Sequence, residues 1–119
     1  GAWPLCRAWE RFLASGSDAA YAAQHRSEFM WPWEGPPHSV AHGILDDETY
    51  DWLAIVRAMA QWGGRAWVTS ESELRAANDA ARAVTSVDVS HTGSAGLAGL
   101  LKAGAAGPRS AVIFTGVQR

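Results

Sequence analysis

Three stretches of the sequence carry residue types and spacings that could do chemistry. His38-Ser39-Val40-Ala41-His42 sets two imidazoles four apart, with Asp46 and Asp47 close behind. On a helix that spacing turns both rings to one face, as a zinc site requires. Pro36-Pro37 before the pair and Gly43 after it oppose a helix, and no Glu follows His38, so the two read as loop histidines and no metal is assigned. The second stretch, Val89-Ser90-His91-Thr92-Gly93-Ser94-Ala95-Gly96, leads from extended chain through a tight turn into a helix. A nucleophile elbow has that setting but needs Gly two positions before its Ser, and Thr92 stands there. A hydrolase using Ser94 with His91 therefore trails, and no catalytic residue is assigned. The same turn could hold a carboxylate or phosphate on free helix-start N–H groups and the Thr92 and Ser94 hydroxyls. Its spacing matches neither a dinucleotide fingerprint nor a P-loop, and a capped structural turn is the preferred reading. Third, Phe114-Thr115-Gly116 puts a hydroxyl and a Gly just beyond an apolar run, where ligands gather in open α/β sheets. A strand that ends in Thr before a Gly turn is the plain alternative.

These residues must be held by elements that the pattern also suggests. Pro4 to about Leu13 reads as an amphipathic helix with Pro in its first turn, Leu5, Trp9, Phe12 and Leu13 inward and Arg7, Glu10 and Arg11 outward. Ala14 to Gln24 is small and polar, helical at best. An irregular Trp/Pro-rich loop spans 29–43, with three prolines between Pro32 and Pro37. Leu45-Asp46-Asp47-Glu48 opens the clearest helix, with Asp46 as cap, Leu45 stapled onto Tyr50 and Gly63-Gly64 as the stop. Arg65 to Thr69 is a short strand candidate, and Ser70-Glu71-Ser72-Glu73 is a capping box before an Ala-rich helix to about Val84. Val87 to Val89 reads as extended. The next helix is rich in Gly and Leu, ends near Gly104, and carries Gly93, Gly96 and Gly99 as a smooth ridge for close approach to a sheet. Ser110 to Phe114 is a continuous apolar strand of the kind covered on both faces. Alternating helices and strands predict an α/β fold: a partial three-layer sandwich whose short, mainly parallel sheet is flanked by helices.

Composition bounds what such elements can do. The chain has 119 residues, a net charge of -2, 48% apolar and 18% charged residues. That suffices for one core but not for two domains with a cleft between them, so a two-lobed function must borrow its second lobe. The weak field disfavours nucleic acid and anionic membrane as partners, and no apolar run approaches the ~20 residues of a membrane span. The single thiol, Cys6, forbids an internal disulfide and points to a reducing, cytoplasmic compartment. Gly1 in place of Met marks a processed or trimmed chain or a segment of a longer one. Seven Trp imply a core or interface larger than the length suggests, so the isolated chain is expected to self-associate.

Taken in order, Ser39 to Trp52, Val68-Thr69-Ser70-Glu71, Thr92-Gly93-Ser94-Ala95-Gly96 through Leu101, and Val112-Ile113-Phe114-Thr115-Gly116-Val117-Gln118-Arg119 resemble the C-terminal part of threonine synthase-like enzymes. These belong to the pyridoxal-phosphate family that also holds the tryptophan synthase β subunit. The likeness runs from Gly1-Ala2-Trp3-Pro4-Leu5 to the end, and residues 1–119 then form one C-terminal segment of a two-lobed enzyme, lacking the N-terminal lobe. The resemblance implies that Thr115, with Gly116, partners the ring nitrogen of pyridoxal 5'-phosphate. It also implies that Thr92, Gly93 and Ser94 line the same pocket and that the Ser39 to Gly43 loop faces the cleft. A hydroxyl partner does not force the pyridine nitrogen to be protonated, which favours β-elimination and replacement, and the intact reaction implied is loss or replacement of a β or γ leaving group on an amino-acid substrate. The lysine that holds the aldehyde and the Gly-rich phosphate loop of that family lie upstream of this sequence, and Lys102, its one lysine, matches no family lysine. The chain alone is then expected to be inert, completed by the missing lobe or a second chain. From another class of function, a Trp-rich protein-interaction module without cofactor is the alternative.

Overall fold

Pro4 lacks an N–H and has a preset φ, so it suits a first helical turn, and helix α1 (Pro4–Ala14) starts on it. A computed structural model describes residues 3–117, which form two compact units. Gly1-Ala2 and Gln118-Arg119, the two ends of the resemblance, lie outside the described residues.

One unit comprises the chain up to Pro37 and Asp46–Ala66. It contains α1, α2 (Ala19–Gln24), α3 (Arg26–Phe29) and α4 (Trp52–Trp62). Asp18 caps α2 by accepting from the N–H groups of Ala20 and Tyr21, both at 2.9 Å. The core joins Ala8 and Phe12 of α1 to Ala22, Phe29, Met30, Trp52 and Val56, with Leu5, Trp9, Leu53 and Met59 against its edge. Phe29 stacks on Trp52 at 5.6 Å between ring centroids. Leu13, expected inward, is 49% exposed, and Arg7, expected outward, is 7% exposed. The aromatic loop explains the exchange. Arg7 donates to the Trp31 carbonyl and lays its guanidinium 3.6 Å from the centroid of the Trp31 ring, so burial costs the cation less than it would among aliphatic groups.

The acidic run ahead of α4 behaves differently from the expectation that Asp46 opens the helix. The helix begins at Trp52, and its N-cap Asp51 makes no side-chain capping bond. The acidic stretch is engaged elsewhere: Trp33 Nε1 donates to the Asp46 carbonyl, and Glu48 pairs with Arg26. Tyr50 is 89% exposed, so no staple forms. The stop is as expected, with Gly63 in the left-handed region at φ 74° and Gly64 N–H bonded to Met59.

The other unit, His38–Leu45 with the chain from Trp67 onward, contains a 3-10 turn (His42–Ile44), α5 (Glu71–Val84) and α6 (His91–Lys102). The capping box forms as read: Glu73 N–H reaches Ser70 Oγ, and Ser70 N–H reaches Glu73 Oε2. Leu74 and Ala77 of α5, Ala98 of α6 and Ala41 of the inserted segment make a core of small side chains. Asn78, fully buried, donates to the Val89 carbonyl at 2.8 Å and to Ser94 Oγ at 3.0 Å.

This architecture corrects the α/β assignment. Among the described residues there is no sheet, parallel or otherwise, and the sole strand pairing is an isolated antiparallel bridge between Val89 and Val117. The pattern of alternating helices and apolar runs reads each segment's own preference, whereas a sheet needs a neighbour for every strand. The ridge is present without the sheet. Gly93 meets the backbone of Gly116, Gly96 faces Val112 and Gly99 faces Trp67. Residues 111–117 contain no turn, and their exposure alternates with the period of two expected of a strand. Val112, Phe114 and Gly116 are half-buried, while Ala111, Ile113, Thr115 and Val117 are exposed. The run is covered on one face rather than both.

Candidate functional site

The first turn of α6 and the end of the apolar run, more than 20 residues apart in sequence, meet in one place. Thr115 N–H donates to the Gly93 carbonyl at 3.3 Å, and Ser90 N–H donates to the Gly116 carbonyl at 3.1 Å. The approach is so close that a Cβ at Gly93 would stand 2.1 Å from the Gly116 oxygen. Only a residue without a side chain allows this contact. All five residues that the resemblance implicates are therefore brought together.

Within the cluster the hydroxyls divide by what already holds them. Ser94 is fully buried, accepts from Asn78 and donates back to the Ser90 carbonyl at 3.1 Å, which leaves no nucleophile for an acyl-transfer reaction. Ser90 Oγ accepts from Gly93 N–H at 3.0 Å and so caps α6. These two serines and Asn78 are framework. Thr92 Oγ1 accepts from Gly43 N–H at 3.1 Å, which leaves its own proton free to donate. Thr115 is exposed, and among the described residues nothing engages its hydroxyl. The two threonines, not the serine, are the groups able to meet a ligand.

The His38–Leu45 segment closes one side of this cluster. Glu71 accepts from Val40 N–H at 2.9 Å, and bonds from Ser39 and Val40 hold its carboxyl below the usual carboxylate range, aided by Arg75 and His91. The one thiol of the chain lies in the other unit. Burial pushes the Cys6 thiol up, with Glu10 adding to the effect, so it stays protonated and weakly nucleophilic. Among the described residues no group of three His, Cys, Asp or Glu could hold a metal ion. No helix of the described residues is long and apolar enough to cross a membrane.

The sequence reading missed Asn78, whose only signal was a polar residue on the inward face of an Ala-rich helix. It also missed Glu71 as an anchor, because its partners lie 31 residues away. No protein-family model, curated protein or solved structure matches the chain.

Proposed function

We propose that this chain is the C-terminal portion of a threonine synthase-like pyridoxal-phosphate lyase of the reducing cytoplasm. In that reading it supplies the ring-nitrogen partner and one wall of an amino-acid cleft, and the missing lobe or a second chain completes the enzyme. The observation that carries the reading is the backbone contact between Gly93 and Gly116, which joins the two segments that resemble the pocket of that family.

The fit to the group rests on Thr115, which presents an unengaged hydroxyl of the kind that can bond a neutral pyridine nitrogen. When bound, pyridoxal 5'-phosphate supplies the electron sink for loss of a proton at the α-carbon of an amino acid. The chain's own part is to hold the ring through Thr115, to aim the Thr92 proton at the pocket and to keep Ser94 and Asn78 out of the chemistry by saturating them. The one lysine, Lys102, is paired with Glu73 at 3.0 Å near the far end of α6 and does not stand at this site.

The test is Thr115→Val in the enzyme restored with its upstream polypeptide. Turnover is expected to fall while the helical circular dichroism signal is unchanged. Full activity of the variant, or amino-acid conversion by the 119-residue chain alone, overturns the reading.

One observation favours the interaction module as the second reading: Trp62 is 76% and Trp3 is 46% exposed, an unusual amount of aromatic surface for a chain needing no partner. A native reading frame that begins at residue 1 would put that module first.

A further inference from the structure

We infer that Glu71 is a positioning residue for this site, acting through the strap His38–Leu45 on the Thr92 hydroxyl; the inference rests on the reading of Thr92 as a pocket residue. The strap is held at three successive points. Val40 N–H is bonded to Glu71 Oε2 at 2.9 Å. Ala41, fully buried, is packed in the core that α5 and α6 share. Gly43 N–H then reaches Thr92 Oγ1 at 3.1 Å.

The last contact decides what Thr92 can do. A threonine hydroxyl has one proton and two acceptor positions. With Gly43 donating to one acceptor position, the proton and the second lone pair remain, and the strap limits how the hydroxyl can turn and so fixes where its proton is offered. The fit is tight, since a Cβ on Gly43 would sit 2.9 Å from Thr92 Cγ2. A strap displaced by loss of its Glu71 anchor takes the Gly43 N–H away and lets the hydroxyl rotate. Glu71 touches no ligand in this arrangement. It sets the direction of a donor on the neighbouring helix, and the ligand group that benefits is an oxyanion such as the carboxylate of an amino acid.

Two measurements separate this from a merely structural role. In the 119-residue chain, Glu71→Ala is expected to speed amide exchange about tenfold at Val40 and at Gly43, the latter three residues beyond the deleted bond. Glu71→Gln keeps an acceptor oxygen and is expected to leave Gly43 near its original rate. In the enzyme restored with its upstream polypeptide, Glu71→Ala is expected to raise KM for the amino acid about 2- to 10-fold with kcat retained, and Glu71→Gln to restore KM. Unchanged exchange at Gly43 in Glu71→Ala overturns the inference, as does faster exchange with KM unmoved. Failure of the restored enzyme to take up pyridoxal 5'-phosphate, read from its visible spectrum, sinks the lyase reading itself, and the exchange result in the chain stands apart from it.

Discussion

The two units are held together by opposite means. The first packs large side chains: Phe12, Phe29, Met30 and Trp52 fill its core, and Arg7 lies against Trp31 at its margin. The second packs mostly small ones around Leu74, with Ala77 and Ala98 between its helices, backbone against backbone at Gly93 and Gly116, and a buried amide, Asn78, tying Val89 to Ser94. The contrast teaches where each unit is vulnerable. Removing volume damages the first, because burial of apolar area is what favours its fold. Adding volume damages the second, because its groups already stand at contact distance. The candidate site belongs to the second kind, and so tolerates little change in shape.

The largest effect is expected from Phe12→Ala, which empties a fully buried aromatic site. It should lower stability by about 3–5 kcal/mol in chemical denaturation, and a loss under 1 kcal/mol would break the contrast from the first side. Gly93→Ala is the matching test of the second. One added methyl should cost about 1–3 kcal/mol and speed amide exchange at Thr115 and Ser90, whose bonds span the contact. A neutral Gly93→Ala would mean that the two segments do not meet as closely as described. Ile113→Lys probes the uncovered row of the apolar run, where Ile113 is 81% exposed. Light scattering is expected to show self-association of the parent chain and its weakening by the substitution, with helix content intact; a monomeric parent chain would contradict this. The smallest effect is one of pH. Because the folded-state pKa of Glu71 is depressed, its contribution is complete above the ordinary glutamate range and is lost as pH falls through the lower folded value. Exchange at Val40, corrected for intrinsic rate, should therefore stay slow near neutrality and rise only once the pH falls below the ordinary glutamate range.

The local signals in the sequence were legible where the cause was local. The Ser70 capping box, Pro4 in the first turn of α1 and the Gly63 stop each depend on residues within a turn of one another, and each forms as read. The readings that failed depend on distant partners. Asp46 had every local reason to cap a helix, but Trp33 and Arg26 engage this stretch from 13 and 22 residues away. Arg7 looks like a surface cation until the Trp31 ring covers it. The parallel sheet failed for the same reason: Val112 and Phe114 have strand character, but no neighbouring strand pairs with them among the described residues. The site was half legible. Thr115 and Thr92 could be named from motif likeness, whereas the division between engaged serine and available threonines follows from contacts with Asn78 and Gly43 that no spacing announces.

The most direct test of the ring-nitrogen assignment is the nitrogen-15 resonance of labelled pyridoxal 5'-phosphate in the enzyme restored with its upstream polypeptide, recorded with Thr115 and with Thr115→Val. An unprotonated pyridine nitrogen whose resonance shifts on loss of the hydroxyl is the predicted result. A protonated nitrogen, or a resonance indifferent to the substitution, would contradict the role given to Thr115.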